Sequence, residues 1–162
     1  DGTTAQHYIP QSYVYTTNGA TVASNVDPIS GWTYTIPANT LRVGSTIRVH
    51  ASWYLNTAWL GNINFYVGST LAGNVFFSAT PRTGAGYFNM TITQRTVGAS
   101  GVFVYLFEWR QYDATMPIPG SINGTSSLTN TWNTTTALVI RSTVSSWTQG
   151  TMYPHQWIVD MT

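Results

Sequence analysis

The stretch from Ser45 to Asn56 has the sequence STIRVHASWYLN, in which apolar and polar side chains alternate. Every second residue from Ile47 to Leu55 is apolar, and the residues between them are polar or amphipathic. Successive side chains of a β-strand point to opposite faces of a sheet, so a period of two predicts a strand that is buried on one face only. This stretch therefore predicts a sheet with one face in a core and the other towards solvent.

The rest of the chain extends this pattern. Residues 87–93 repeat the alternation, with Phe88, Met90 and Ile92 on the inward face. Helical periodicity is almost absent, and Gly, Pro and Asn separate runs rich in Val, Ile, Thr and aromatic residues, which is typical of all-β proteins. The predicted strands lie near residues 11–16, 20–26, 32–36, 45–56, 62–68, 73–79, 87–97, 102–112, 135–144 and 153–161. We expect an all-β fold, an antiparallel β-sandwich that is jelly-roll-like and has about 8–10 strands.

The chain of 162 residues is predicted to form one domain. Residues 1–10 are interpreted as an N-terminal arm, and residues 11–162 as a single jelly-roll β-sandwich. Short turns are predicted at Gly73 and at residues 84–86. The connection at 113–134 is long for a segment without regular structure in a compact domain.

Charge is scarce in this chain. Only 7% of the residues are charged, the formal net charge is +1, and all six basic residues are arginines that form no cluster. Proteins that bind nucleic acids or anionic membranes present a concentrated basic surface, so neither partner is expected. No apolar run approaches the roughly 20 residues of a membrane-spanning helix, so no membrane insertion is expected either. The lack of cysteine excludes disulfides and thiolate metal sites.

The sequence offers little for catalysis. Glycosidases need two carboxyl groups within about 5–10 Å of each other. The two carboxylates closest in sequence, Glu108 and Asp113, are separated by an odd spacing and would lie on opposite faces of one strand. The histidines are not spaced for a zinc site, and no cofactor-binding motif is present. We therefore expect a non-enzymatic protein without cofactor or metal, with a glycan-degrading enzyme as the more distant alternative.

The predicted strand at 102–107, VFVYLF, is apolar on both faces. One face carries Phe103, Tyr105 and Phe107, and the other carries Val102, Val104 and Leu106. Only one face can pack in the core of the same sandwich, so a loop or a second subunit must cover the other. We hypothesise that the aromatic row, Phe103, Tyr105 and Phe107, forms a subunit interface.

Three tryptophans, Trp59, Trp132 and Trp147, lie in or beside predicted turns. Indole rings in loops can stack on sugar rings, with neighbouring Asn and Thr side chains bonding to the sugar hydroxyls. These three residues are therefore possible glycan contacts. The favoured alternative is that the aromatic side chains fill the sandwich core or a subunit interface, where they are also enriched.

A polar corner interrupts the strand pattern at residues 37–40, PANT. Pro37 cannot donate to a sheet ladder, so pairing must stop there or lie at an edge, and the residue before it is pushed into an extended conformation. Asn39 and Thr40 can hydrogen-bond to their own backbone through the turn. We interpret the corner as the place where the chain changes sheets.

Two motifs resemble bacteriophage virion structural proteins of the jelly-roll type. The run from Trp32 to Val49 contains YTIPANTL, then a glycine turn and STIRV, and is similar to the strand, corner and long strand that open one sheet in those proteins. The run from Ile63 to Leu71, INFYVGSTL, resembles their next strand, which has a glycine turn and a Thr-Leu restart. The resemblance covers roughly residues 30–110.

The resemblance implies a position on the surface of a virion. Modules of this kind occur as head decorations, head fibres and tail tips, commonly as homotrimers. The implied partners are other copies of the chain and the capsid or tail proteins of the same particle. The alternative function is a carbohydrate- or receptor-binding module of a phage fibre or spike, with a host-surface glycan as its ligand.

Overall fold

The structure is a computed structural model that describes residues 11–15, 20–112 and 125–162. Within those residues the chain is all-β, as predicted. Its seven strands are β1 (Gln11–Tyr15), β2 (Thr33–Ile36), β3 (Thr46–Val67), β4 (Thr70–Gln94), β5 (Gly101–Gln111), β6 (Thr125–Trp132) and β7 (Leu138–Met161). The described residues contain no helix long and apolar enough to cross a membrane. The predicted arm at 1–10 lies outside the described residues.

The strands form an antiparallel sheet in the order β1-β7-β3-β4-β5-β6, and β2 also pairs with β7. This sheet folds over onto itself. Ala51 of β3 lies opposite Phe88 of β4, and Phe65 follows Ala51 after a length of strand that would measure about 46 Å if straight. The ring centroids of Phe65 and Phe88 are nevertheless only 3.7 Å apart. The long strands therefore turn back, and their two halves belong to two packed layers of a barrel-like sandwich.

Register shifts mark the bends in the long strands, for example between Asn56 and Asn62 of β3. The first layer consists of β1, β5, β6 and residues 46–56, 84–94 and 151–161 of the long strands. The second layer consists of β2 and residues 60–67, 70–77 and 138–145.

Aromatic rings fill the space between the layers. The inward residues predicted by alternation, from Ile47 to Leu55 and from Phe88 to Ile92, are all buried, which confirms that register. The largest fully buried side chains include Trp32, Trp53, Trp59, Trp157, Phe65, Phe88, Phe103 and Phe107. Each such ring removes roughly 150–250 Å² from water, so the hydrophobic effect of these rings dominates the stability of the fold.

The polar corner has the structural role predicted for it. β2 ends at Ile36 in the second layer, and the chain enters β3 of the first layer after the corner. The Thr40 hydroxyl donates to the Pro37 carbonyl. The Asn39 amide donates to the Thr134 carbonyl at 2.8 Å, which ties the corner to the loop after β6.

Asn39 has a positive φ of 60°, a conformation that costs most residues with a Cβ about 1–2 kcal/mol. Asparagine tolerates it because its side chain can hydrogen-bond locally. We expect Asn39→Ala to lower the free energy of unfolding by about 1 kcal/mol and Asn39→Gly to leave it unchanged or raise it. Urea unfolding of the three proteins measures this, and equal stability of the alanine and asparagine forms would contradict it.

The strand boundaries differ from the predicted ones in a consistent way. Three pairs of predicted strands are continuous: 45–56 with 62–68, 73–79 with 87–97, and 135–144 with 153–161. The described residues thus form seven strands, three of them long, and not the eight to ten short strands that the sequence predicts. The predicted strand at 20–26 makes only isolated bridges, from Val22 to Met152 and from Val26 to Val144.

Glycines explain much of this difference. Gly73 and Gly86 were predicted to be in turns, but both lie inside β4. A Cβ on Gly73 would lie 2.5 Å from the ring of Phe107, and a Cβ on Gly86 would lie 2.5 Å from the indole of Trp53. These glycines therefore allow large rings to approach the backbone. The predicted connection at 113–134 also contains a strand, β6.

Candidate binding surface

The tryptophans predicted as glycan contacts are mostly unavailable to a ligand. Trp59 and Trp132 are buried, with exposed fractions of 0% and 6%, so the prediction is wrong for these two residues. Trp132 stacks on Phe103 with ring centroids 4.2 Å apart, and Trp59 lies inside β3 rather than in a turn. Trp147 packs against the core, and its indole N–H donates to the Gly150 carbonyl at 3.0 Å. A sugar contact at Trp147 stays a prediction.

The predicted subunit interface is also on the wrong face of its strand. Phe103, Tyr105 and Phe107 are buried within a single chain, with exposed fractions of 0%, 9% and 1%. Their cover comes from the chain itself, because Phe65 of the second layer packs on Phe107 with ring centroids 5.2 Å apart and an indole from β6 stacks on Phe103. The prediction that this row contacts another subunit is therefore wrong, and the opposite face of β5 is the one that points outward.

The outward face of the first layer carries a group of tyrosines. Tyr54 of β3 lies opposite Tyr153 of β7 on one side and Ala85 of β4 on the other. The Tyr112 amide donates to the Ala85 carbonyl at 2.7 Å, which places Tyr112 at the same end of the layer. We call this surface the tyrosine face and define it by Tyr54, Tyr87, Tyr112, Tyr153, His50 and Asn89.

The rings of the tyrosine face stand next to one another. Tyr87 and Tyr112 have ring centroids 6.2 Å apart at an interplanar angle of 32°. His50 and Tyr87 have centroids 6.1 Å apart at 31°. The His50 Nδ1–H donates to the Asn89 Oδ1 at 2.7 Å, which fixes the imidazole in place. Tyr54 and Tyr112 are 43% and 50% exposed, so their rings are accessible from solvent.

Buried polar groups support this surface from below. The Trp53 indole N–H donates to the Gln111 Oε1 at 3.0 Å, and the Gln111 amide donates to the Gly84 carbonyl at 2.9 Å. Trp53 and Gln111 are each followed directly by a tyrosine of the tyrosine face. This buried network therefore holds together the strand ends from which Tyr54 and Tyr112 project.

The pKa values of two tyrosines, Tyr87 and Tyr105, are raised. Partial burial raises the pKa of Tyr87 above the ordinary value of 10.0, and a hydrogen bond with the Tyr112 hydroxyl raises it further. Burial likewise raises the pKa of Tyr105, against a smaller lowering effect from Asn130. In both cases the folded protein favours the neutral phenol.

Stability should therefore fall at alkaline pH. A raised folded-state pKa means that the native state holds the proton more tightly than the unfolded state, so this contribution is complete below pH 10 and is lost as pH rises past it. The chain has no lysine but nine other tyrosines, so the contribution of Tyr87 is obtained from the difference between a Tyr87→Phe variant and the wild type. Unfolding free energy measured against pH should decline less steeply in Tyr87→Phe than in the wild type. Identical slopes would contradict the shift at Tyr87.

Among the described residues, carboxylates do not come together on the outward face of the first layer, and Asp113 lies outside those residues. Glu108 is on β5 and Asp160 on β7, with β4 and β3 between them. Three strand spacings separate them by about 14 Å, beyond the 5–10 Å range of a glycosidase pair. Asp27 lies beside the second layer, with its Oδ1 2.9 Å from the Nε of Arg141. No three metal-binding side chains cluster within the described parts of the chain.

A second polar cluster lies on the outward side of the second layer. The Asn64 amide donates to Thr143 Oγ1 at 3.2 Å and to Ser145 Oγ at 2.8 Å, and the Asn74 amide donates to Asn64 Oδ1 at 2.6 Å. Asn64 and Thr143 are buried. Because these groups bond to one another, we interpret the cluster as a brace across three strands and not as a ligand site.

Sequence reasoning did not identify the tyrosine face, although part of the signal was present. The alternation in residues 45–56 already places His50 and Tyr54 on the outward face. Which other tyrosines lie beside them depends on the order of the strands, which alternation within one strand does not give.

Neither the protein-family models nor the curated proteins compared with this sequence match it.

Proposed function

We propose that this protein is a non-enzymatic structural module of a bacteriophage virion surface, as a head decoration or as a fibre or tail-tip module. The support is the resemblance at YTIPANTL and INFYVGSTL. In those residues the chain forms a short strand, a corner and a long strand, and then a hairpin that turns at Gly68 and restarts at Thr70. The order of strand, corner, long strand and glycine turn agrees with the resemblance, although residues 62–67 continue β3 and do not form the separate next strand that it implies.

The observation that carries the proposal is the corner itself. Leu41 and Ile36 are buried on either side of it, and the Asn39 amide is bonded to the loop after β6. The corner thus joins the two layers and presents no reactive group, which fits an architectural role.

A mass-spectrometric inventory of purified particles tests this function. Particles from a phage that encodes the chain are purified on a density gradient and digested, and peptides are quantified against the major capsid protein. We expect peptides of this chain at a fixed ratio to the capsid protein. Recovery of the chain only in the unassembled fraction would overturn the proposal.

We further propose that the module assembles as a homotrimer through the outward face of β5. Val102 and Val104 are half-buried and Leu106 is 48% exposed, so an aliphatic stripe faces solvent in the single chain. Covering this stripe would remove apolar surface from water. Val102, Val104 and Leu106 thus replace the aromatic row as the contact.

Sedimentation equilibrium tests the trimer. The wild type is expected at three times the chain mass, and Leu106→Ser at the chain mass, because the substitution removes the most exposed apolar side chain of the stripe. A wild type that is monomeric at the highest soluble concentration would contradict the proposal.

A second candidate function is carbohydrate or receptor binding. The observation that favours it is the tyrosine face, where rings are exposed and polar groups lie beside them. Binding of the folded chain to an array of immobilised glycans tests this function.

A further inference from the structure

We infer that the tyrosine face binds a neutral oligosaccharide along the strip formed by His50, Tyr87 and Tyr112. This inference rests on the second function above, carbohydrate binding, and names its site and its class of ligand. The site differs from the tryptophans suggested by the sequence.

The first argument is the arrangement of the rings. Successive centroids in the strip are 6.1 Å and 6.2 Å apart, a spacing comparable with that of successive rings in an oligosaccharide. The rings are tilted by 31° and 32° rather than stacked face to face, so they do not cover one another's faces. The negative face of an aromatic ring attracts the C–H groups of an apolar sugar face.

The second argument is the set of polar groups beside the rings. Asn89 lies opposite Glu108, and Tyr87 lies opposite Arg110, so an amide, a carboxylate and a guanidinium border the strip. Together they offer both donors and acceptors, and a sugar hydroxyl can act as either. This complementarity allows the bound hydroxyls to regain the hydrogen bonds that they lose with water.

The third argument is the charge of the surface, which selects a neutral ligand. The carboxylate of Glu108 and the guanidinium of Arg110 are close enough to Tyr87 that both influence its pKa, in opposite directions. One charge of each sign leaves the strip without a net field. A sulfated or phosphorylated glycan needs several uncompensated cations, and this face does not provide them.

The side chains of the strip are held in place by hydrogen bonds before any ligand binds. The side chain of Tyr87 is hydrogen-bonded to that of Tyr112, and the side chain of His50 is hydrogen-bonded to that of Asn89. Side chains held in place before binding lose little rotamer entropy when a ligand arrives. A weakly interacting ligand such as a sugar benefits most from this, because each of its contacts contributes little.

A protein partner fits this surface less well. The central part of a protein interface is depleted of charge and buries continuous apolar area. The tyrosine face instead alternates rings with Ser52, Asn89 and charged neighbours. The aliphatic residues of this layer lie farther along β5, at Val104 and Leu106, where we place the subunit contact.

The test begins with the folded chain on an array of immobilised neutral and sulfated oligosaccharides. Soluble neutral tetrasaccharides that bind are then titrated by calorimetry. We expect neutral oligosaccharides to bind, and Tyr112→Ala and Tyr87→Ala each to weaken binding by about tenfold, the effect of losing one aromatic contact of the strip. Tyr112→Phe, which keeps the ring but loses the hydrogen bond with Tyr87, should weaken binding less than Tyr112→Ala does.

Leu71→Ala is the matched control, because Leu71 is 47% exposed on the second layer, away from the face. Circular dichroism verifies that each variant is folded. The inference is overturned if only sulfated glycans bind, if the two tyrosine variants bind as Leu71→Ala does, or if a protein partner instead of a glycan protects the face. A chain that is found in virions but binds no neutral oligosaccharide also overturns it, and the virion role then stands by itself.

Discussion

The double variant Phe103→Ser/Phe107→Ser is expected not to fold. Both rings are fully buried, and truncating a buried phenylalanine costs about 3–5 kcal/mol. The two positions are about 13 Å apart along β5, far enough for their effects to add. The combined loss of about 6–10 kcal/mol is comparable with the whole stability of a typical domain, 5–15 kcal/mol. Burying two serine hydroxyls among aromatic rings adds a further cost.

Far-ultraviolet circular dichroism and urea titration measure the outcome, and Leu106→Ser provides the control on the same strand. Leu106 points outward and is 48% exposed, so its substitution should leave the folded monomer nearly as stable as before. A double variant that unfolds at the same urea concentration as the wild type would show that the two rings are not in the core. The aromatic row would then return as a candidate for the subunit contact.

The sequence predicts local features of this fold well. Alternation specifies which side chains of a strand share a face, and every second residue from Ile47 to Leu55 is buried as it predicts. The proline at the corner predicts that pairing stops after Ile36, and β2 ends there. Both inferences depend on the covalent structure of a few neighbouring residues, and so the sequence is sufficient for them.

Features that depend on distant contacts were predicted poorly. A glycine in a turn and a glycine beneath an aromatic ring look alike in sequence. Gly73 is required by the ring of Phe107, which belongs to another strand. Trp59 likewise has polar and small neighbours typical of a turn, yet it is buried because β3 continues through its bend.

The candidate site likewise combines a local feature that the sequence predicts with a grouping of strands that it does not predict. Outward placement of His50 and Tyr54 follows from the alternation in β3. Their grouping with Tyr87 and Tyr112 follows from the pairing of β3 with β4 and of β4 with β5. The ligand-binding hypothesis from sequence chose tryptophans, of which Trp59 and Trp132 are buried in the core because they are large and apolar, whereas the amphipathic side chains of the tyrosine face remain at the surface.

Gly86→Ala is expected to lower the free energy of unfolding by about 2–6 kcal/mol. A Cβ at this position would contact the Gln111 Oε1 and the Trp53 Nε1, the acceptor and the donor of one buried hydrogen bond. Overpacking alone costs about 1–3 kcal/mol. If the amide of Gln111 moves aside, the indole N–H of Trp53 is left unpaired, which costs a further 1–3 kcal/mol or so. Urea unfolding measures the total.

A double-mutant cycle with Gln111→Ala identifies the source of this loss. The shorter side chain leaves space for the new methyl group, and the Trp53 N–H is already unpaired in that background, so Gly86→Ala should cost less there than in the wild type. We expect a coupling of at least about 1 kcal/mol. Ala85→Ser, on the exposed neighbour, controls for a general effect on β4 and should change stability by less than about 0.5 kcal/mol. Strictly additive losses would mean that the new methyl group clashes with the strand backbones and not with the hydrogen-bonded side chains of Gln111 and Trp53. The support that we assign to Gln111 beneath the tyrosine face would then be wrong, because that support requires the amide to fill the space directly over Gly86.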